Sequence, residues 1–128
     1  MNTCILLVED DGDFAESVAL NLEAAGFTLL GPVSGGLEAF ALCEREEPDL
    51  ALIDISLEGA IDGIFLGQQL SERGIPVVYL TGRFERALQE GRDHASALLA
   101  KPCSSQELIA TLHSALDARQ APTAPSSG

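Results

Sequence analysis

Glu9, Asp10, Asp54, Thr81 and Lys101 are the side chains with which this sequence could do chemistry. Each stands at the end of a short apolar run. Ile5-Leu6-Leu7-Val8 leads into Glu9-Asp10, and Leu50-Ala51-Leu52-Ile53 leads into Asp54. Pro76 to Leu80 leads into Thr81, and Ser96 to Ala100 into Lys101. Carboxylates brought together repel and raise one another's pKa values. A Mg²⁺ ion removes that repulsion, because it takes a few hard oxygen ligands and keeps several waters. Asp54 could offer one oxygen to such a metal and use the other as a nucleophile on a phosphoryl donor. The Lys101 ammonium and the Thr81 hydroxyl would then serve the phosphoryl oxygens that the metal leaves uncovered. The product would be an aspartyl phosphate, which water can hydrolyse.

That chemistry needs the residues on one edge, and the chain pattern supplies it. Wholly apolar runs of this length suit strands of a parallel sheet with both faces covered. Strands are expected at 5–8, 27–33, 50–53, 76–80 and 96–100. Helices are expected between and after them. The first carries Phe14, Val18, Leu20, Leu22 and Ala25 and ends at Gly26. The second, 37–47, places Leu37, Phe40, Ala41 and Glu44 in the register of one face and stops at Pro48. The third runs 64–73 before Gly74 and the short fourth 84–91. The last is capped by Ser104 or Ser105, and reaches about residue 118 with Leu108, Ile109, Leu112, Ala115 and Leu116 inward. Strands alternating with helices predict an α/β fold with helices on both sides of a parallel sheet. In such a sheet the carboxyl ends of the strands form the ligand-binding edge.

Composition narrows the function classes. The chain has 128 residues, 46% of them apolar, which suits one compact domain. A net charge of −13 repels phosphate backbones and anionic membranes, so no nucleic-acid or membrane partner is expected. No apolar run approaches the length of a bilayer span, and no basic stretch precedes the first one, so the expected location is cytoplasmic. Cys4, Cys43 and Cys103 match no zinc spacing and read as reduced, small apolar side chains. The final residues are Pro, Ser, Thr and Ala with little to bury. We therefore expect a folded domain over 1–118 and a disordered tail or linker over 119–128.

Ile5-Leu-Leu-Val-Glu-Asp-Asp11, Pro48-Asp-Leu-Ala-Leu-Ile-Asp54, Pro76-Val-Val-Tyr-Leu-Thr-Gly82 and Lys101-Pro102, in this order, resemble the receiver domains of two-component response regulators. The resemblance covers roughly residues 3 to 118. It implies a flavodoxin-like (βα)5 fold with a doubly wound, five-stranded parallel sheet in the order 2-1-3-4-5. It makes Asp54 the phosphoacceptor, Asp10 a direct Mg²⁺ ligand and Glu9 a ligand through water, with the Ser56 backbone carbonyl completing the metal site. It makes Thr81 the switch hydroxyl and Lys101 the family lysine, followed by a cis Pro102. The phosphodonor would be a sensor histidine kinase or a phosphotransfer protein, and a homodimer would form through the helix 4 to helix 5 face. The implied molecule is a switch that only phosphorylates and dephosphorylates itself, rather than an enzyme with turnover.

The sequence departs from the family pattern in places. The loop Ile55-Ser-Leu-Glu-Gly-Ala-Ile-Asp-Gly63 lacks the Met-Pro common after the phosphoacceptor. Leu98 occupies the position of the usual switch aromatic, and Cys103 that of the usual Phe after Lys-Pro. Pro76 to Gly82 is similar to the Pro-Phe-x-Phe-Ala-Thr-Gly motif of an alphaproteobacterial subgroup, with Val77 and Leu80 differing. Outside the motifs, Asp11 and Asp13 are expected to favour the first helix. His94 and His113 are expected at the surface, and Arg83 and Arg86 on the fourth helix, facing either a partner or solvent.

The expected protein is a receiver with no attached output domain, because the chain ends soon after its last helix. One alternative is a receiver module cut from a hybrid kinase or a multidomain regulator. Another is a Mg²⁺-dependent phosphohydrolase with Asp54 as nucleophile, resembling haloacid-dehalogenase-like enzymes. These usually place a second Asp where this chain has Ser56.

Overall fold

A computed structural model describes residues 2–57, Gly59 and 61–120. The strands are β1 (Cys4–Val8), β2 (Thr28–Val33), β3 (Leu50–Ile53), β4 (Val77–Thr81) and β5 (Ala97–Ala100). The helices are α1 (Gly12–Ala24), α2 (Gly36–Arg45), α3 (Gly63–Glu72), α4 (Phe84–Glu90) and α5 (Ser105–Gln120). All strand pairs are parallel and their order is β2-β1-β3-β4-β5, as expected. Element ends fall within about two residues of the expected ones. Helix α5 continues to Gln120, and the expected tail beyond it lies outside the described residues.

Alternation along the strands divides the core in two. Leu6, Val8, Ala51, Ile53, Val77 and Tyr79 face α2, α3 and α4, joining Ala39, Cys43, Leu66, Leu70 and Ala87. Ile5, Leu7, Leu50, Leu52, Val78 and Leu80 face the other way, onto Val18 and Leu22 of α1 and Leu108, Leu112 and Leu116 of α5. Both faces of the central strands are therefore dry, which is why these strands are apolar throughout.

Helix α2 buries a different face from the one its apolar residues suggest, and α1 departs from expectation at Leu20. In α2 the buried residues are Gly36, Ala39 and Cys43, whereas Leu37 is 67% exposed and Ala41 and Glu44 are exposed. Small side chains let α2 lie close to the sheet. At Gly36 an added Cβ would come within 2.5 Å of the Ile61 side chain. In α1 the buried residues are Ala15, Val18 and Leu22, while Leu20 is 62% exposed.

Helix starts follow ordinary capping chemistry. The Asp11 carboxylate accepts from the Phe14 amide at 3.1 Å, Asp62 from the Phe65 amide at 3.0 Å, and the Ser104 hydroxyl from the Glu107 amide at 3.0 Å. Lys101–Pro102 is cis, as the resemblance implies, and Gly31–Pro32 is cis as well.

Candidate functional site

The buried polar and charged residues among those described are Glu9, Asp54 and Thr81. All three stand at carboxyl ends of neighbouring strands. Glu9 follows β1, Asp54 follows β3 and Thr81 ends β4. Burying such groups costs free energy unless each is paired, so their partners define the site.

Lys101, just past β5, reaches back across the sheet edge. Its ammonium donates to Glu9 Oε1 at 2.8 Å and to Asp54 Oδ2 at 3.3 Å. The remaining carboxylate oxygens are served by the backbone. Glu9 Oε2 accepts from the Asp11 amide at 3.1 Å, and Asp54 Oδ1 accepts from the Ser56 amide at 3.1 Å. Thr81 is tied in through the main chain, because the Lys101 amide donates to the Thr81 carbonyl at 2.9 Å. The Thr81 hydroxyl accepts from the Arg83 amide at 2.9 Å and closes the turn into α4.

The electrostatics follow from this packing. Burial pushes the Glu9 carboxyl upward, and the nearby Asp54 charge adds to that, while Lys101 pulls the other way. Burial opposes the Lys101 charge, but the Glu9 and Asp54 carboxylates outweigh it and hold the ammonium above its usual range.

Glu9, Asp10 and Asp54 each offer a carboxylate oxygen, and these three atoms lie within 4.8 Å of one another. Three hard oxygen donors at that spacing fit Mg²⁺ better than a soft metal. The Ser56 hydroxyl oxygen is buried and has no hydrogen-bond partner among the described residues.

The sequence-expected residues thus gather as follows. Glu9, Asp10 and Asp54 cluster, Lys101 bonds to Glu9 and Asp54, Thr81 adjoins through the Lys101 backbone, and Ser56 supplies an amide to Asp54. Leu98 lies one strand along, paired with Tyr79 and packed half-buried on the α3 and α4 side. In the loop 55–63, Glu58 and Ala60 lie outside the described residues.

Other side chains here were not expected. The Lys101 ammonium sits 4.2 Å from the ring centroid of Phe14. Arg86 does not lie free on a solvated face. It pairs with Asp62, the cap of α3, at 2.7 Å and with Glu90 at 3.2 Å. His94 is half-buried, its Nε2 lying 2.7 Å from the Tyr79 hydroxyl, whereas His113 is exposed as expected. The Asp62 cap had a signal, an acidic residue just before Gly-Ile-Phe-Leu, and Arg86–Glu90 had one in its four-residue spacing; the other contacts join residues of separate elements.

Residues 5–113 match the response regulator receiver domain. The chain belongs to this family. Among curated relatives of this receiver, transcriptional regulatory protein PdtaR of Mycobacterium tuberculosis is 31% identical over 115 residues, 88% of this chain and 56% of that protein. The master transcriptional regulator RpaA of Synechocystis is 33% identical over 118 residues, 88% of this chain and 48% of that protein. The receiver spans about half the length of the curated relatives it matches. Among solved structures, the CheY-like receiver domain of Methanospirillum hungatei superposes with a TM-score of 0.84 at 26% identity, covering 94% of this chain and 98% of that one. The signal receiver domain of a modulated diguanylate cyclase from Desulfovibrio desulfuricans gives 0.85 at 28% identity, over 94% and 98%. The protein is therefore a receiver domain of two-component response regulators; such domains generally bind Mg²⁺ at an acidic pocket, and Glu9, Asp10 and Asp54 form an acidic cluster here.

Proposed function

We propose that this receiver accepts a phosphoryl group on Asp54 and thereby switches its contacts with a partner. The observation that carries this is the Lys101 ammonium held between Glu9 and Asp54 at the closed end of a three-carboxylate cluster. Glu9, Asp10 and Asp54, with the Ser56 carbonyl, would hold Mg²⁺. The ion supplies charge neutralisation for the phosphoryl oxygens, the dominant need of this transfer. An Asp54 oxygen attacks the phosphorus while the bond from phosphorus to the donor breaks, and the leaving group departs with its electron pair. Lys101 exchanges its contact with Asp54 for a new phosphoryl oxygen while keeping Glu9. Thr81 has a hydroxyl proton to donate to another, once the oxygen turns from the Arg83 amide.

The donor under this proposal is a histidine kinase or a phosphotransfer protein carrying phosphohistidine. Residues 1–118 form the switching unit, and its α4 to α5 face is the proposed homodimer surface. Leu98 cannot act as a swinging aromatic, so the switch works without that ring.

The test is incubation with Mg²⁺ and a small acyl phosphate, with covalent phosphate followed over time. The protein should take up one phosphoryl group per chain, and both chelation of Mg²⁺ and Asp54→Asn should stop uptake. Undiminished uptake by Asp54→Asn would refute the proposal.

A further inference from the structure

An ammonium group has three donors. At Lys101 two of them are accounted for by Glu9 Oε1 at 2.8 Å and Asp54 Oδ2 at 3.3 Å. A further side of the group faces the Phe14 ring, 4.2 Å from its centroid, well inside the range of a cation–π contact. The ring is not there by accident of exposure. Phe14 is half-buried against the core formed with α5, and its amide is bonded to Asp11 Oδ1 at 3.1 Å, so the cap of α1 anchors it. The same short segment therefore carries the acidic pair and, one helical turn on, a ring against the lysine that neutralises that pair.

We propose that Phe14 is a positioning residue for Lys101: its ring holds the ammonium at the site while Lys101 passes from the Asp54 carboxylate to the phosphoryl oxygens. The proposal rests on the reading of Asp54 as phosphoacceptor. The physical need is specific. Glu9 and Asp54 both hold the lysine, but Asp54 is the group that reacts, so one of the two anchors is lost or redirected during transfer. The Phe14 contact does not involve the reacting atoms, and it persists. Without it the four-carbon lysine stem regains freedom, and water reaches the ammonium from the α1 side.

The test replaces Phe14 by a series of rings of nearly constant shape and falling negative face potential, by incorporating phenylalanines of increasing fluorine content at position 14. The rate of uptake from a small acyl phosphate with Mg²⁺ is measured for each, beside its melting temperature. The expected result is a rate that falls steadily along the series, by about threefold in all, with the melting temperature unchanged. Phe14→Tyr and Phe14→Trp should keep the rate, and Phe14→Leu should lose it as the most fluorinated ring does. Equal rates across the series, or a fall that only follows the melting temperature, would overturn the proposal. Asp54→Asn is run alongside. If it abolishes uptake and the series is flat, only the role of Phe14 fails; if it takes up phosphate normally, the phosphoacceptor reading fails with it.

Discussion

Lys101 and Glu9 meet across 92 positions of sequence at 2.8 Å, a shorter contact than the 3.3 Å between Lys101 and Asp54. Glu9 is therefore the standing anchor of the lysine and Asp54 the looser one. That order suits a site in which Asp54 must be released to react. It also makes Lys101 structural, since it is the cation that balances two buried carboxylates. Lys101→Met should destabilise the fold by about 2 kcal/mol in a urea titration without metal. Breaking a fully buried pair costs about 3–5 kcal/mol, and the figure is reduced because the Lys101 side chain remains partly exposed.

Magnesium should compensate for that loss. At a free concentration ten times its Kd, an ion that binds only the folded chain stabilises it by about 1.4 kcal/mol. Thermal melts with and without Mg²⁺ should show an upward shift, larger in Lys101→Met because its carboxylates lack a cation. Asp10→Asn should shrink the shift. Equal shifts in all three proteins would place the ion elsewhere.

The pair Arg86–Asp62 joins α4 to the start of α3, but both side chains are partly exposed. Arg86→Ala should therefore cost only about 0.5 kcal/mol in chemical denaturation. Asp62→Ala removes the helix cap as well as the pair and should cost about 1.5 kcal/mol. The difference between the two variants measures the cap less the Arg86–Glu90 pair, which only Arg86→Ala removes.

Burial holds the His94 imidazole below its ordinary value of 6.5, with the Asp93 charge opposing. The unfolded chain therefore binds that proton more tightly than the folded one. The contribution of neutral His94 is present above the unfolded value and is lost as pH falls through the folded one. With Nδ1 carrying the ring proton, Nε2 accepts from the Tyr79 hydroxyl, and protonation removes that acceptor. Urea midpoints compared at about pH 7.5 and about pH 5.5 should fall for the wild type more than for His94→Gln. An equal fall would show that His94 does not titrate with folding.

Tyr79 is fully buried because glycines make room for it. A Cβ on Gly67 of α3 would collide with the Tyr79 hydroxyl, and one on Gly91 would come within 2.8 Å of the ring. Gly67→Ala should cost about 2 kcal/mol by overpacking. Tyr79→Phe alone should cost about 1 kcal/mol for the lost hydrogen bond, yet it should recover part of the loss when combined with Gly67→Ala. Simple addition of the two costs would contradict the packing described.

What could be read from the sequence was what depends on local rules. Apolar runs of strand length placed Glu9, Asp54, Thr81 and Lys101 at strand ends, and a parallel sheet then put those ends on one edge. Ser104 was legible as a candidate cap, and Asp11 as an acidic residue favouring the start of α1, because both depend on residues within one helical turn. The buried face of α2 was not, because its packing residues are Gly36, Ala39 and Cys43, which carry little hydropathy, whereas the conspicuous Leu37 points outward. Arg86–Asp62, Tyr79–His94 and Phe14–Lys101 were not legible either. Each joins separate elements, and no periodicity records which exposed-type side chain turns inward to meet another.

The claim that Asp54 is the phosphoacceptor is tested most directly by chemical mapping. The protein is incubated with Mg²⁺ and a small acyl phosphate, reduced with borohydride, digested and sequenced by mass spectrometry. Reduction converts an aspartyl phosphate to homoserine at the residue that carried it. The account predicts homoserine at position 54, its absence without the phosphodonor, and its absence in Asp54→Asn. Homoserine at Asp10 or Asp11 with Asp54 intact would contradict it.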